Sequence, residues 1–203
     1  MPKTEVIDHY DRLIEEGNDP VGDPEPLRAY MDKWDGQPFI DALELSKDKT
    51  VLEIGVGTGR LAVRTAPLCR IFHGIDLSSK TILRAMVNLM DDPEVKFELF
   101  VGDFLEHEFT GKYDVIYSSL TFMHIEDKQR AIDKVAALLN ENGRFVLSID
   151  KNPSELLDFG TRKLKIYPDT PEYIRACIEH AGLAFADSFE TEFAHIITAV
   201  KNN

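Results

Sequence analysis

The sequence predicts an α/β fold: a doubly wound, mostly parallel sheet of seven strands, with an antiparallel C-terminal strand and an N-terminal helical cap. Three observations carry this. Apolar, β-branched runs recur at 50–54, 70–75, 95–101, 113–117 and 143–149. Helical patterns at about 59–68, 78–90 and 126–140 fill gaps between them, so strands pair in parallel through right-handed crossovers with helices on both faces. Last, "LAFADSFETE" and "FAHIITAVKN" are strand-like runs joined by almost nothing. That spacing suits an antiparallel hairpin and leaves no room for a crossover helix.

The elements follow in order. Val6, Ile7, Tyr10, Leu13 and Ile14 fall at helical spacing and give one short amphipathic helix. "GNDPVGDPEP" holds three prolines and two glycines and must be a loop. A second helical stretch runs from about Leu27 to Leu45, broken near Gly36 and Pro38. Residues 1–46 thus form a helical cap or lid on a core of 47–203, in one domain of 1–203. Within the core, the polar "GDFLEHEFTGK" allows at most a brief helix, and a further helix is expected near 170–181.

Composition narrows the function. The 203 residues suffice for one hydrophobic core. No apolar run reaches the roughly 18 residues of a membrane span, and "MPKTEVIDHYDRL" has charges where a secretory segment needs apolar residues, so a cytoplasmic protein is expected. Cys69 and Cys177 sit in separate apolar helical segments and read as reduced core thiols. With a net charge of −13, the surface repels a phosphate backbone, which argues against DNA and against anionic membranes.

In a doubly wound sheet, ligands sit beyond the carboxyl ends of the strands. Here that edge is built from "EIGVGTGR", "GIDLSS", "VGDFLE" and "IYSSLTFMHI". The first segment departs from the dinucleotide fingerprint G-x-G-x-x-G/A: Gly55 and Gly57 fit, but position 60 is Arg and the third glycine comes early, at Gly59. Glu53 makes the same point electrostatically. A carboxylate about 5 Å from a pyrophosphate oxygen costs roughly 3 kcal/mol at an effective dielectric near 20. A ligand presenting a cation there removes that penalty. Asp76 ends the second apolar run, where a carboxylate can accept both hydroxyls of a ribose; capping the next helix is its plainer role, though Ser78 or Ser79 can do that instead. Asp103 and Phe104 follow the third strand, where an acid can accept from an exocyclic amino group and a ring can flank a purine.

Taken in order, "VLEIGVGTGR", "GIDLSS", "VGDFLE" and "YDVIYSSLTFMHI" resemble the class I S-adenosylmethionine-dependent methyltransferases over roughly residues 49–150. The resemblance implies a Rossmann-like fold and S-adenosyl-L-methionine as cofactor. It implies cofactor contacts from Glu53, Gly55, Val56, Gly57 and Gly59, then Asp76 and Leu77, then Asp103 and Phe104, with Ser119 at the fourth strand. The cofactor's sulfonium and ammonium supply the cation that Glu53 requires.

Methyl transfer from a sulfonium is an in-line displacement, so positioning can supply much of the catalysis. A base is needed only where the nucleophile holds its proton. His124 is the candidate base; its plainer role is to hydrogen-bond the turn before the 126–140 helix. Tyr10, Tyr30, Trp34 and Phe122 are candidate substrate or lid aromatics, with ordinary packing as the alternative. Ser118, Ser119 and Leu120 replace the Pro-Pro-aromatic motif of amino-methylating nucleic-acid enzymes, and they do not match the acids of metal-dependent relatives, so no metal is expected. A small-molecule acceptor is expected because no large insertion is present to recognise a bulky one. A protein or tRNA acceptor, and a non-catalytic cofactor-binding protein, are the alternatives; the spacing at Gly59 and Arg60 disfavours a nicotinamide enzyme.

Overall fold

In the computed structural model, residues 3–160 and 162–202 are described. Seven strands form one sheet: β1 (Thr50–Ile54), β2 (Ile71–Asp76), β3 (Phe97–Val101), β4 (Tyr113–Ser119), β5 (Leu139–Asp150), and a C-terminal pair here labelled β8 (Leu183–Glu190) and β9 (Ala194–Lys201), after the small hairpin of β6 (Leu156–Asp158) and β7 (Lys163–Lys165). The order is β3-β2-β1-β4-β5-β9-β8. Pairings among β1 to β5 are parallel, while β9 is antiparallel to both its neighbours. This is the predicted fold class.

Seven helices accompany the sheet: α1 (Lys3–Glu15), α2 (Glu25–Met31), α3 (Gly36–Ala42), α4 (Ala62–Thr65), α5 (Ser79–Met90), α6 (Lys128–Leu138) and α7 (Pro171–His180). Pro67 stops α4 after one turn, and the chain continues as a short 3₁₀ turn. The break in the second N-terminal stretch falls at residues 32–35, ahead of the expected point. Gly36 and Pro38 lie in the first turn of α3, where a missing N–H costs nothing. Ser78 caps α5 by accepting from the Thr81 N–H at 3.1 Å, which leaves Asp76 free of that duty.

All five residues of β1 are buried, and alternation divides them between two cores. Leu52 and Ile54 face the layer of α6 and α7 with Ile132 and Ile178, while Val51 faces the layer of α3 and α5 with Phe39, Ile40 and Ile82. A strand with both faces covered cannot be solvated, so what it carries at its carboxyl end is delivered to an interior edge. Both cysteines are buried and free, and burial pushes the Cys69 thiol up to about 11.

The β6–β7 hairpin is absent from the sequence reading, because its two three-residue strands are too short for a period to show. It fastens the N-terminal helix: Arg162 donates to both carboxylate oxygens of Glu16, at 2.8 and 3.1 Å, and to His9 Nδ1 at 3.0 Å. On its other side α1 is tied to the start of α5, where Ser78 Oγ donates to Asp11 at 2.6 Å and Lys80 pairs with Glu15.

Candidate active site

The glycine turn leaves β1 with three left-handed residues, and each is glycine for a different reason. Gly55 has φ 77°, and a Cβ on it would stand 2.0 Å from Thr121 Oγ1, so the segment after β4 crosses directly over the turn. Gly57 has φ 54°, and a Cβ there would meet no protein atom within 4 Å. Gly59 has φ 92° and faces Ala85 of α5, 3.6 Å from where its Cβ would be. Gly55 and Gly57 line a cavity, whereas Gly59 is not among its lining residues.

That cavity has a volume of about 680 Å³. Its floor is the carboxyl edge of the sheet: Glu53, Gly55, Val56 and Gly57, then Asp76 and Leu77, then Asp103 and Phe104, then Ser119 and Leu120. Its roof is α1, through Val6, His9, Tyr10, Leu13 and Ile14, with Phe159 of the β6–β7 turn beside His9 at 4.3 Å between rings. The four edge segments therefore meet at one site.

Glu53 is 3% exposed. Parallel register sets it opposite Tyr117 of β4, whose hydroxyl donates to Glu53 Oε2 at 2.8 Å and lies 2.8 Å from Thr65 Oγ1. Burial pushes the Glu53 carboxyl up to about 8, with the negative Asp35 and Asp76 acting in the same direction and the Tyr117 hydrogen bond and Arg60 opposing. The group is thus an acid held against its will in a cavity wall, and a cation brought beside it would restore the ionised form.

Asp76 links the edge together. Its Oδ2 accepts the Gly57 N–H at 2.9 Å, and its Oδ1 accepts the Ser78 N–H at 3.0 Å and the Thr81 hydroxyl at 3.2 Å. Burial still raises its pKa. Asp103 accepts the Leu105 N–H at 2.9 Å, and Phe104 is 5% exposed with the Lys134 ammonium 5.4 Å from its ring.

Arg60, the residue that breaks the dinucleotide spacing, forks onto Asp35: Nη1 donates to Oδ1 at 3.0 Å and Nη2 pairs with Oδ2. Asp35 is fully buried and also accepts from Ser119 Oγ at 2.7 Å and from the Gly36 N–H at 2.6 Å. The Ser119 side chain, expected at the cofactor, thus spends its proton on Asp35 while lining the cavity. Asp35 escaped the sequence reading because its partners stand 25 and 84 positions away. Leu120 escaped it too; it lines the cavity at φ 55°, a left-handed conformation unusual for a branched residue.

His124 faces the cavity with its Nε2 2.8 Å from the Tyr10 hydroxyl. Its partner is therefore the roof helix, and the expected bond to the turn before α6 is not the one observed. Burial, with His9 and Lys128 nearby, lowers its pKa to about 4, so it is neutral at pH 7 and weakly basic. The turn that carries it is pinned by Lys128, whose buried ammonium donates to the Phe122 carbonyl at 2.5 Å and the Tyr167 carbonyl at 3.0 Å and pairs with Asp169 at 3.2 Å.

Three expected aromatics lie elsewhere. Tyr30 and Trp34 form a ring cluster with Phe193, and Trp34 Nε1 donates to Asp150 at 2.9 Å. Tyr30 and Trp34 thus pack on the β8–β9 turn and do not line the cavity, although Met31 at the end of α2 does. Phe122 is 1% exposed and packs against Phe145 in the core. Among the described residues no group of three or more His, Cys, Asp or Glu side chains could hold a metal ion, and no helix is long and apolar enough to cross a membrane.

Comparison with known proteins agrees with the geometry. Residues 52–145 match the family model described as a methyltransferase domain. An uncharacterized methyltransferase of Bacillus cytotoxicus is 36% identical over 100 residues, covering 48% of this chain and 45% of that protein. One from Bacillus thuringiensis is 35% identical over 115 residues, covering 54% and 52%. The chain thus spans about half the length of the curated relatives it matches. Among solved structures, the magnesium protoporphyrin IX methyltransferase of Synechocystis with bound S-adenosylhomocysteine superposes with a TM-score of 0.76 at 19% identity, over 98% of this chain and 100% of that one. The N-methyltransferase NodS of Bradyrhizobium japonicum gives 0.71 at 17% identity, over 97% and 98%. Residues 52–145 are thus similar to a methyltransferase domain, and the chain as a whole shares the fold of these solved methyltransferases.

Proposed function

We propose that this chain binds S-adenosyl-L-methionine in the cavity beneath α1 and transfers its methyl group to a small-molecule acceptor. The observation that carries the reading is Glu53: a buried carboxyl with a pKa near 8, set in a cavity wall beside a glycine turn, fits a ligand that brings a positive charge. A pyrophosphate at the same turn would instead oppose the ionisation of that acid and gain no charge pairing from it.

In this reading residues 47–203 are the core and residues 1–46 its cap, within one domain. Glu53 would face the amino-acid end of the cofactor, with Gly55, Val56 and Gly57 giving it close backbone approach. Asp76 would take the ribose hydroxyls, with Leu77 against the sugar. Asp103 and Phe104 would hold the purine. Gly59 would act one step removed, by letting the turn pack on α5. When bound, the sulfonium supplies an activated methyl group and a good leaving group. The chain's own contribution is to hold the acceptor in line and keep water out, which effective molarities value at roughly 7–11 kcal/mol at best. Tyr10, Leu13 and Ile14 would exclude water from above. With a pKa near 4, His124 serves better by fixing the Tyr10 hydroxyl than by removing a proton.

The roof favours a small acceptor, because α1 is fastened on both flanks where it crosses the cavity. That one fold neighbour is a magnesium protoporphyrin IX methyltransferase is consistent with this. Titration calorimetry tests the cofactor half: S-adenosylhomocysteine should bind and NADH should not, and the reverse result ends the reading. An Asp76→Ala variant with unchanged affinity would remove the ribose assignment.

A further inference from the structure

Helix α5 is apolar on two opposite faces. Ile82, Ala85 and Leu89 are buried on the sheet, as that helix must bury them. On the far side Leu83 is 58% exposed, Met86 39%, Val87 54% and Met90 65%. At 3.6 residues per turn these four fall within an arc of about 100°, the width of a stripe meant to be covered. Single exposed apolar residues are ordinary, but four in one stripe mark an interaction surface. None of them touches the cavity, which lies across the helix on the side of Thr81.

We propose that this stripe is a two-fold interface with a second copy of the same chain, the two α5 helices packing antiparallel about an axis near Val87. The charges flanking the stripe point to this occupant. Arg84 and Asp91 stand on the same flank of the stripe, one toward each end, Asp91 continuing the helix as its C-cap with φ −64° and ψ −23°. A two-fold axis normal to the helix keeps the flank and exchanges the ends, so Arg84 of one copy meets Asp91 of the other, twice per dimer. Lys80 likewise comes opposite the acidic exit turn of Asp92 and Glu94. Among the described residues Asp91, Asp92 and Glu94 make no ion pair, and the Arg84 side chain is 47% exposed with its nearest acid, Asp19, at 3.8 Å. A helix without any acid, on a chain of net charge −13, ends in a run of unpaired acids; the antiparallel pair matches the two. A parallel pair about an axis along the helices would put Arg84 and Asp91 on opposite flanks and at different heights, so they would not meet.

One helix stripe is smaller than the roughly 800 Å² per partner of a standard interface, so a dimer of micromolar affinity is expected. Sedimentation velocity from low micromolar to several hundred micromolar should show the mass rising from one to two copies. Val87→Glu should raise the dimer Kd at least about tenfold, a loss of about 1.4 kcal/mol or more, while circular dichroism and S-adenosylhomocysteine binding stay as in the parent. Arg84→Glu and Asp91→Arg should each weaken the dimer, and their combination should restore it, which an unspecific sticky patch would not do. A chain that stays monomeric throughout, or a dimer indifferent to Val87→Glu, overturns the proposal; a combined variant no tighter than the single ones overturns the antiparallel register.

Discussion

The hydroxyl of Tyr10 and Nε2 of His124 lie 2.8 Å apart, 114 positions apart in sequence, and join the roof helix to the floor of the cavity. The bond makes α1 a latched cover, while burial sets the electrical state of the histidine. A buried imidazole with pKa near 4 is neutral, whereas in the unfolded chain it titrates near 6.5. Because the folded value is depressed, the stability it contributes is whole above about pH 6.5 and is lost as the pH falls through 4, by about 3 kcal/mol in all. Urea midpoints measured from pH 7 to pH 4 should fall less steeply in His124→Gln than in the parent, and parallel curves would refute the burial account. Tyr10→Phe should lose about 1 kcal/mol and speed the dissociation of bound S-adenosylhomocysteine.

Glu53 titrates in the opposite sense. Its folded pKa, near 8, is above the usual carboxyl value, so its ionisation opposes folding increasingly as the pH rises from about 4.5 to 8. Glu53→Gln should therefore stabilise the ligand-free protein by a few kcal/mol at pH 8 and keep an acceptor for the Tyr117 hydroxyl. The same variant should bind S-adenosylhomocysteine at least about tenfold more weakly. Calorimetry in buffers of different ionisation enthalpy should find close to one proton released on binding at pH 7 in the parent and almost none in the variant. Equal proton release in both would count against Glu53 as the cation's partner.

Gly57 and Gly59 separate ligand approach from packing. Both are left-handed, so an alanine at either costs about 1–2 kcal/mol of backbone strain. At Gly57 the added methyl enters open cavity space, and cofactor affinity should collapse while the fold survives. At Gly59 it meets Ala85 at an ordinary contact distance of 3.6 Å and enters no cavity, so the backbone strain should lower thermal stability more than affinity. The comparison needs only melting curves and binding titrations of the two variants, and the reverse ranking would undo the assignment.

Among the described residues Arg60 is the cation paired with the fully buried Asp35, through a bidentate bond. Arg60→Met should strand a fully buried carboxylate and cost about 3–5 kcal/mol. Adding Asp35→Leu should recover much of that loss, and a double-mutant cycle on denaturation midpoints measures the coupling. Additive effects would show that the pair is not coupled.

The sequence by itself determined the sheet and the edge that lines the cavity. Strand and crossover periods are local, and β1 and α5 come out at 50–54 and 79–90 against expectations of 50–54 and 78–90. The edge was legible for a related reason: parallel strands all deliver their carboxyl ends to one side, so Glu53, Asp76 and Asp103 must meet wherever their strands pair. Tertiary structure alone decided the roof. Whether Tyr10 or Trp34 covers the cavity depends on which segment docks where, and Tyr30 and Trp34 instead pack on Phe193 in the β8–β9 turn, far along the chain. The same holds for Asp35 with Arg60, for Lys128 with Asp169, and for a histidine whose pKa follows burial. Such pairs carry no period and no fixed spacing; they exist only once the chain has folded and each buried charge has found its partner.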